Sequence, residues 1–312
     1  MILEMLRIYV CLDDTHIENM VKKAQSTYKM YYIKKKNGGK RQIFHPSKET
    51  KVLQYALIDL FLNHIPISDC AKAYVSGLKS PLLNNAKVHA PFKYSLHIDF
   101  ENFFPSIKPN DLVCALKREN VDLNVKDVDL LRRILFLNFN GKELLSIGAP
   151  ASPICSNIVM KLLDTQFDQI AKSINGQYSR YADDIWFSTN EKNGCQNFYT
   201  EVEQIIHNCE WPKLKINAQK THYQSRKGKR IITGLSITPS GDVVIPRDKK
   251  RYIRSLLLKR KYKIIEKKEE AYLKGYLSFI RDVEPDYINH LIIKYGEEIV
   301  LAKKYMVKVD ST

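Results

Sequence analysis

No apolar run in this chain reaches the ~18 residues needed to cross a bilayer, so a membrane-spanning helix is not expected. Glu4 and Arg7 interrupt the first apolar stretch, which argues against a secretory leader. Cysteine is sparse and scattered: Cys11, Cys70, Cys114, Cys155, Cys195 and Cys209 include no C-x-x-C pair. That spacing speaks against a zinc site and against a disulfide framework, and fits reduced thiols in the cytoplasm. Internal repeats and low-complexity segments are missing. Negative charge is also short: 34 Asp and Glu face 50 Lys and Arg, a net of +16. Such an excess favours a polyanionic partner, either nucleic acid or an acidic membrane surface.

What is present is ordinary in bulk. The 312 residues are 44% hydrophobic and 27% charged, enough for two or three subdomains around a substantial core. The chain is organised around Tyr181-Ala182-Asp183-Asp184. The β-prone runs Gln177–Arg180 and Ile185–Ser188 flank it, so a hairpin with two acids at its tip is expected. Adjacent carboxylates repel unless they are solvated or neutralised by cations. An isolated Asp-Asp pair is most often just an acidic surface turn. A third acid upstream and a Gly-Pro-Ser turn between them shift that balance.

In chain order, residues 1–30 read as helical with Leu12, Ile17, Met20 and Val21 apolar. The segments 28–33 and 42–44 read as strands joined by a basic, Gly-containing tip, 34–41. That tip is either a solvated loop or a holder of Lys40 or Arg41 over a triphosphate. Pro46 opens a helix carrying Val52, Leu53, Ala56, Leu57, Leu60 and Phe61. The run 94–100 alternates as a strand ending on Asp99, followed by a turn over 101–107; His97 points to the same face as Asp99 and reads by default as a satisfied strand histidine. Residues 110–138 read as helical. Ser146–Pro153 is a turn entering an apolar helix, with Ser152 as N-cap and Pro153 in its first turn. A helix over 197–209, a strand over 214–216 and a strand over 229–237 follow. Residues 247–268 hold eleven Lys or Arg and two acids, either a solvated helix face or one that tracks phosphates. Leu273, Tyr276, Leu277 and Ile280 place a further helix beyond it.

A βαββαβ arrangement of the middle would put Asp99 on a strand beside the Asp183-Asp184 hairpin. Carboxylates are the hard ligands Mg²⁺ prefers, and three on one edge suit two ions ~3.5–4 Å apart. A basic chain with such a cluster implies nucleotidyl transfer along a nucleic-acid template.

The ordered set of motifs resembles reverse transcriptases, specifically those of bacterial retrons. His97–Ser106 is similar to their first palm motif, Gly148–Pro153 to the second and Tyr181–Asp184 to the third. Asn217-x-x-Lys220-Thr221 is similar to the fourth. Asn85-Ala86-Lys87-Val88-His89 resembles the retron Asn-Ala-x-x-His element, and Ile232-Thr233-Gly234 the retron Val-Thr-Gly element. The matches span residues 41–234, in the group II-intron-like superfamily of these enzymes.

The resemblance implies an α+β right-hand polymerase with fingers, an RRM/ferredoxin-like palm and a helical thumb. Its divisions are 1–92 (N-terminal helix and fingers), 93–238 (palm, with a fingers insertion around 110–145) and 239–312 (basic helical thumb). It implies that Asp99, Asp183 and Asp184 bind two Mg²⁺ ions, with the Phe100 carbonyl as a further contact. Lys220 stands near the departing pyrophosphate as a proton donor, and Arg41 holds the triphosphate. Phe104 matches the gate that excludes a ribose 2′-OH. Gly148 and Pro150 shape the nucleotide pocket, and Ala182 lies near the primer end. Asn85 and His89 are implied to recognise a structured RNA, alongside Lys249, Lys250, Arg251 and Arg254 of the basic face.

The implied activity is RNA-directed DNA synthesis on a cognate noncoding RNA. It uses dNTPs, is primed from a guanosine 2′-OH and yields multicopy single-stranded DNA (msDNA). An anti-phage role with an effector protein is implied too. No stretch is left for an RNase H domain. Ile147 replaces the usual Gln before Gly148, which removes an amide from the nucleotide pocket. The alternatives are another bacterial defence or intron-type reverse transcriptase, and a nucleoprotein scaffold that restrains an effector.

Overall fold

The computed structural model describes residues 1–34 and 38–302. Residues 35–37, the middle of the expected basic tip, and the last ten positions lie outside the described residues. The chain divides into two compact units: residues 1–77 with 94–223, and residues 78–93 with 224–312. Among the described residues, no helix is long and apolar enough to cross a membrane. The six cysteines are unpaired.

The first unit is built on a sheet ordered Gly176–Tyr181, Asp184–Thr189, Tyr94–Asp99, with His222 and Tyr223 beginning a fourth strand. The first three strands are antiparallel neighbours. Directly opposed residues share a sheet face, so the register sorts side chains into two sets. Leu96 opposite Phe187 and Ile98 opposite Ile185 belong to the apolar core. The other face carries Ser95 opposite Ser188, His97 opposite Trp186 and Asp99 opposite Asp184. Core is contributed by the helices Ser152–Ser173, through Ile158, Val159 and Leu163, and Gly194–Asn208, through Phe198 and Val202. Phe187 stacks on Phe198 with ring centres 4.1 Å apart. The result is apolar packing behind the sheet and a polar row leading to its acidic end.

Several expected elements are subdivided, each for a local reason. The helix read over 1–30 is two helices, Ile2–Val10 and Asp14–Ala24. Cys11 ends the first in the left-handed region, and the Asp13 carboxylate caps the second at the His16 amide, 3.0 Å away. Leu12 falls in the break and is exposed. The 110–138 helix is likewise Pro109–Arg118 and Val125–Leu135, separated by left-handed Asn120 and restarted by the Asn124 cap. Pro46 closes a strand, and Ser47 caps the helix Lys48–Leu60. The turn after Asp99 holds a short helix, Phe103–Ser106. The helix Ser152–Ser173 is capped at Ala151, with Ser152 already inside it. Residues 214–216 form no strand; only an isolated bridge joins Phe100 and Ile216.

The second unit joins the helix Pro81–His89 to a small antiparallel sheet and a group of C-terminal helices. The strand expected over 229–237 is a hairpin, Arg230–Ile232 and Leu235–Ile237. Thr233 and Gly234 both have positive φ, which a two-residue turn of this twist requires. The helices Arg247–Lys261, Lys267–Val283 and Pro285–Tyr295 bury Ile253, Leu256, Leu257, Leu273, Leu277, Ile280 and Leu291.

Candidate active site

Asp99 ends its strand directly opposite Asp184, which in turn pairs with Tyr181 across the hairpin. Ala182 and Asp183 are therefore the two loop residues. Ala182 sits at φ 59°, a conformation that costs a residue with a Cβ energy unless its surroundings hold it. Arg180 does the holding. Its guanidinium is fully buried, donates to the Ala182 carbonyl at 3.0 Å and to the Asn157 side chain at 3.1 Å, and grips Asp164 with two bonds of 2.8 Å. Tyr178 donates to the same carboxylate at 2.6 Å. A buried charge pair survives only when geometry and hydrogen bonds offset desolvation, and this one has both.

The acids at the sheet end are each engaged differently. Asp99 is almost fully buried and accepts from Lys220 Nζ at 2.9 and 2.8 Å and from Asn217 at 3.2 Å. The Asn217 amide also donates to the Asp99 carbonyl, at 2.8 Å. Asp184 Oδ1 lies 2.6 Å from His97 Nε2, whose other ring nitrogen is 3.2 Å from the Lys220 carbonyl. The His97 ring packs on Trp186 and His222. Burial first, then the Asp184 and Asp99 charges, push the Asp183 carboxyl above its ordinary range. Among the described residues, no three His, Cys, Asp or Glu side chains stand together as a ready-made metal cage. The donor chemistry nevertheless suits a hard dication. Three carboxylates share one end of a sheet, and one of them is crowded by the other two.

A cleft of about 490 Å³ opens beside these acids. Arg41, Phe100, Phe104, Asp183 and Lys220 line it, with Tyr32, Lys40, Gln42, Phe44, Tyr74 and Ile147. Gly148, Pro150 and Ala182 are not in its lining. Gly148 acts on the wall from behind: φ is +114°, and a Cβ there would come within 2.8 Å of Ile43 Cγ2 and 3.1 Å of the Phe44 carbonyl. The Phe44 amide donates to the Ile147 carbonyl at 3.0 Å, which ties this turn to the Tyr28–Pro46 hairpin. Only glycine permits that approach.

In the second unit, Asn85 and His89 are fully buried on the helix Pro81–His89. Neither presents its side chain at the surface. The two retron-like elements instead meet each other: Thr233 donates to the Leu82 carbonyl at 2.9 Å and Arg230 to the His89 carbonyl at 2.8 Å. On the basic helix, Arg251 is exposed, and Lys249 and Arg254 are half-buried. Lys250 is paired with Glu284 at 2.5 Å and lies over the Tyr287 ring.

Sequence reasoning missed Arg180, Asp164, Asn157 and Tyr74, whereas His97, read as a satisfied strand histidine, is satisfied by Asp184 and the Lys220 carbonyl. One signal was available: Met160, Asp164, Phe167 and Ala171 share a helix face, and an acid on an apolar stripe demands a buried partner. Tyr74 gives no such signal. Its left-handed backbone aims it at Phe104, with ring centres 6.5 Å apart.

The family described as "Reverse transcriptase (RNA-dependent DNA polymerase)" matches residues 33–261. The retron Ec83 reverse transcriptase of Escherichia coli is 37% identical over 283 residues, 89% of this chain and 90% of that protein. The retron Ec73 enzyme of the same species is 31% identical over 98% of this chain and its own full length. A telomerase from Candida Tropicalis aligns with a TM-score of 0.49 at 13% identity, over 92% of this chain and 62% of that one. The chain belongs to the reverse transcriptases, and within them to those of retrons: it is an RNA-directed DNA polymerase of right-hand, α+β architecture.

Proposed function

We propose that this chain copies part of a cognate structured noncoding RNA into msDNA, primed from a guanosine 2′-OH of that RNA. The pairing of Asp99 with Asp184 next to Asp183, at the mouth of a cleft lined by Arg41 and Lys220, supports the reading most directly. Residues 1–92 serve as N-terminal helix and fingers, 93–238 as palm and 239–312 as thumb. Asp99, Asp183 and Asp184 would hold two Mg²⁺ ions, with the Phe100 carbonyl assisting. Bound there, such ions would supply charge for the attacking hydroxyl and the leaving pyrophosphate. Arg41 orients the triphosphate, which Arg suits by its forked donors. Phe104, backed by Tyr74, presses where a ribose 2′-OH would lie. Gly148 and Pro150 fix the pocket wall, Ala182 sits by the primer end, and Lys220 protonates the departing group.

Arg251, Lys249 and Arg254 face RNA phosphates. Asn85 and His89 serve that recognition indirectly, by building the element that Thr233 and Arg230 join. The protein works in the cytoplasm, and an effector protein completes an anti-phage system. The test is to express the chain in cells that carry its cognate noncoding RNA and to sequence DNA covalently attached to co-purified RNA. A 2′,5′-branched RNA–DNA product is expected. Synthesis without a branch would overturn the priming proposal, and no DNA at all the whole reading.

A further inference from the structure

The Lys220 ammonium chelates both oxygens of Asp99, at 2.9 and 2.8 Å. An ammonium bonded to both oxygens competes with a dication for the same carboxylate. We propose that Lys220 is a tethered cation that competes with the metal for Asp99, so that metal loading expels it into the nucleotide cleft. This rests on the metal-ligand reading above and adds a step to it.

Three observations carry the proposal. The Asp99 side chain is 6% exposed, so stripping it of a cation without a replacement would leave a buried, uncompensated charge. The Lys220 side chain is 56% exposed, so it can swing away while losing little packing. Lys220 also lines the cleft with Arg41 and Phe104, so the freed ammonium stays beside the place a triphosphate would occupy. Asp99 itself is fixed meanwhile: its backbone is held by Asn217 and by the strand bearing Asp184. Exchange therefore moves one lysine side chain and leaves the acids in place. Metal binding and delivery of positive charge to the substrate become one event.

The test uses the full chain freed of RNA and nucleotide, with Mn²⁺ binding followed by electron paramagnetic resonance. Lys220→Met is expected to bind Mn²⁺ about tenfold tighter than the parent, ~1.4 kcal/mol. Asp99→Asn/Lys220→Met is expected to lose that gain. Equal or weaker binding by Lys220→Met would overturn the competition. Mn²⁺ binding insensitive to Asp99→Asn in every background would overturn the metal-ligand reading itself.

A second measurement needs no variant. Amine-reactive labelling of Lys220, read by mass spectrometry, is expected to rise several-fold when Mg²⁺ saturates the wild-type protein. Unchanged labelling would overturn the proposal.

Discussion

Asp99 and Asp184 face each other across two antiparallel strands although 85 positions separate them in the chain. That register brings the Asp183 side chain into the same small region, where burial and its neighbours' charge already disfavour ionisation. Asp183→Asn is expected to cut primer extension by at least ~10²–10³, the scale of losing one group that stabilises transition-state charge. RNA affinity measured by filter binding should stay close to the parent's. Retained synthesis would remove Asp183 from the chemistry.

Arg180 ties the hairpin tip to the helix Ser152–Ser173. Arg180→Met would leave Asp164 buried without its cation, a loss of ~3–5 kcal/mol by urea unfolding. The double variant Arg180→Met/Asp164→Leu should recover much of that stability yet leave the Ala182 carbonyl without its donor. DNA synthesis is then expected to stay impaired. Full recovery of both would reduce the pair to a stability device.

Gly148→Ala places a Cβ against Ile43 and adds backbone strain at φ +114°. A stability loss of ~1–3 kcal/mol is expected. Because the Phe44–Ile147 hydrogen bond sits beside this contact, KM for dNTP should rise more than kcat falls. Steady-state kinetics would show the split.

The basic helix should divide its residues by partner. Neutralising Lys249, Arg251 and Arg254 is expected to weaken RNA binding and to flatten its log–log salt slope by ~0.7–0.9 for each phosphate no longer neutralised. Lys250→Gln should lower thermal stability and leave that slope unchanged, because its ammonium already serves Glu284. An equal slope change for both would show that Lys250 also reaches RNA.

Tyr28, at the base of the first hairpin, receives a hydrogen bond from Gln54 at 3.0 Å, and burial pushes its phenol up to about 12. A folded-state value above the free value means that folding favours the neutral form. This contribution is therefore present below pH ~10 and fades as pH rises towards ~12. Tyr28→Phe should flatten that part of the stability–pH curve, followed by circular dichroism.

Much of the site could be read along the chain because its residues lie in short local patterns. A strand ending in Asp99, and two β-prone runs around Asp183-Asp184, mark themselves by alternation and punctuation. The helix Lys48–Leu60 and its Leu53, Ala56 and Leu57 stripe declared themselves by period. Boundaries were less legible. Single left-handed residues such as Cys11 and Asn120, and the Thr233-Gly234 turn, break elements whose apolar pattern runs on across the break.

By itself the sequence determined most element types, though not the strand read over 214–216 or the turn read over 101–107, together with the three acids, the basic balance and the resemblance that the motifs carry, since these depend on local propensity and composition. Tertiary structure decided which cation each acid meets, why Ala182 tolerates its backbone angle, and that Asn85 and His89 face inward. Those outcomes depend on desolvation and on contacts between residues far apart in the chain. Lys220 is 121 positions from Asp99, and no pattern within the chain sets its ammonium against that carboxylate.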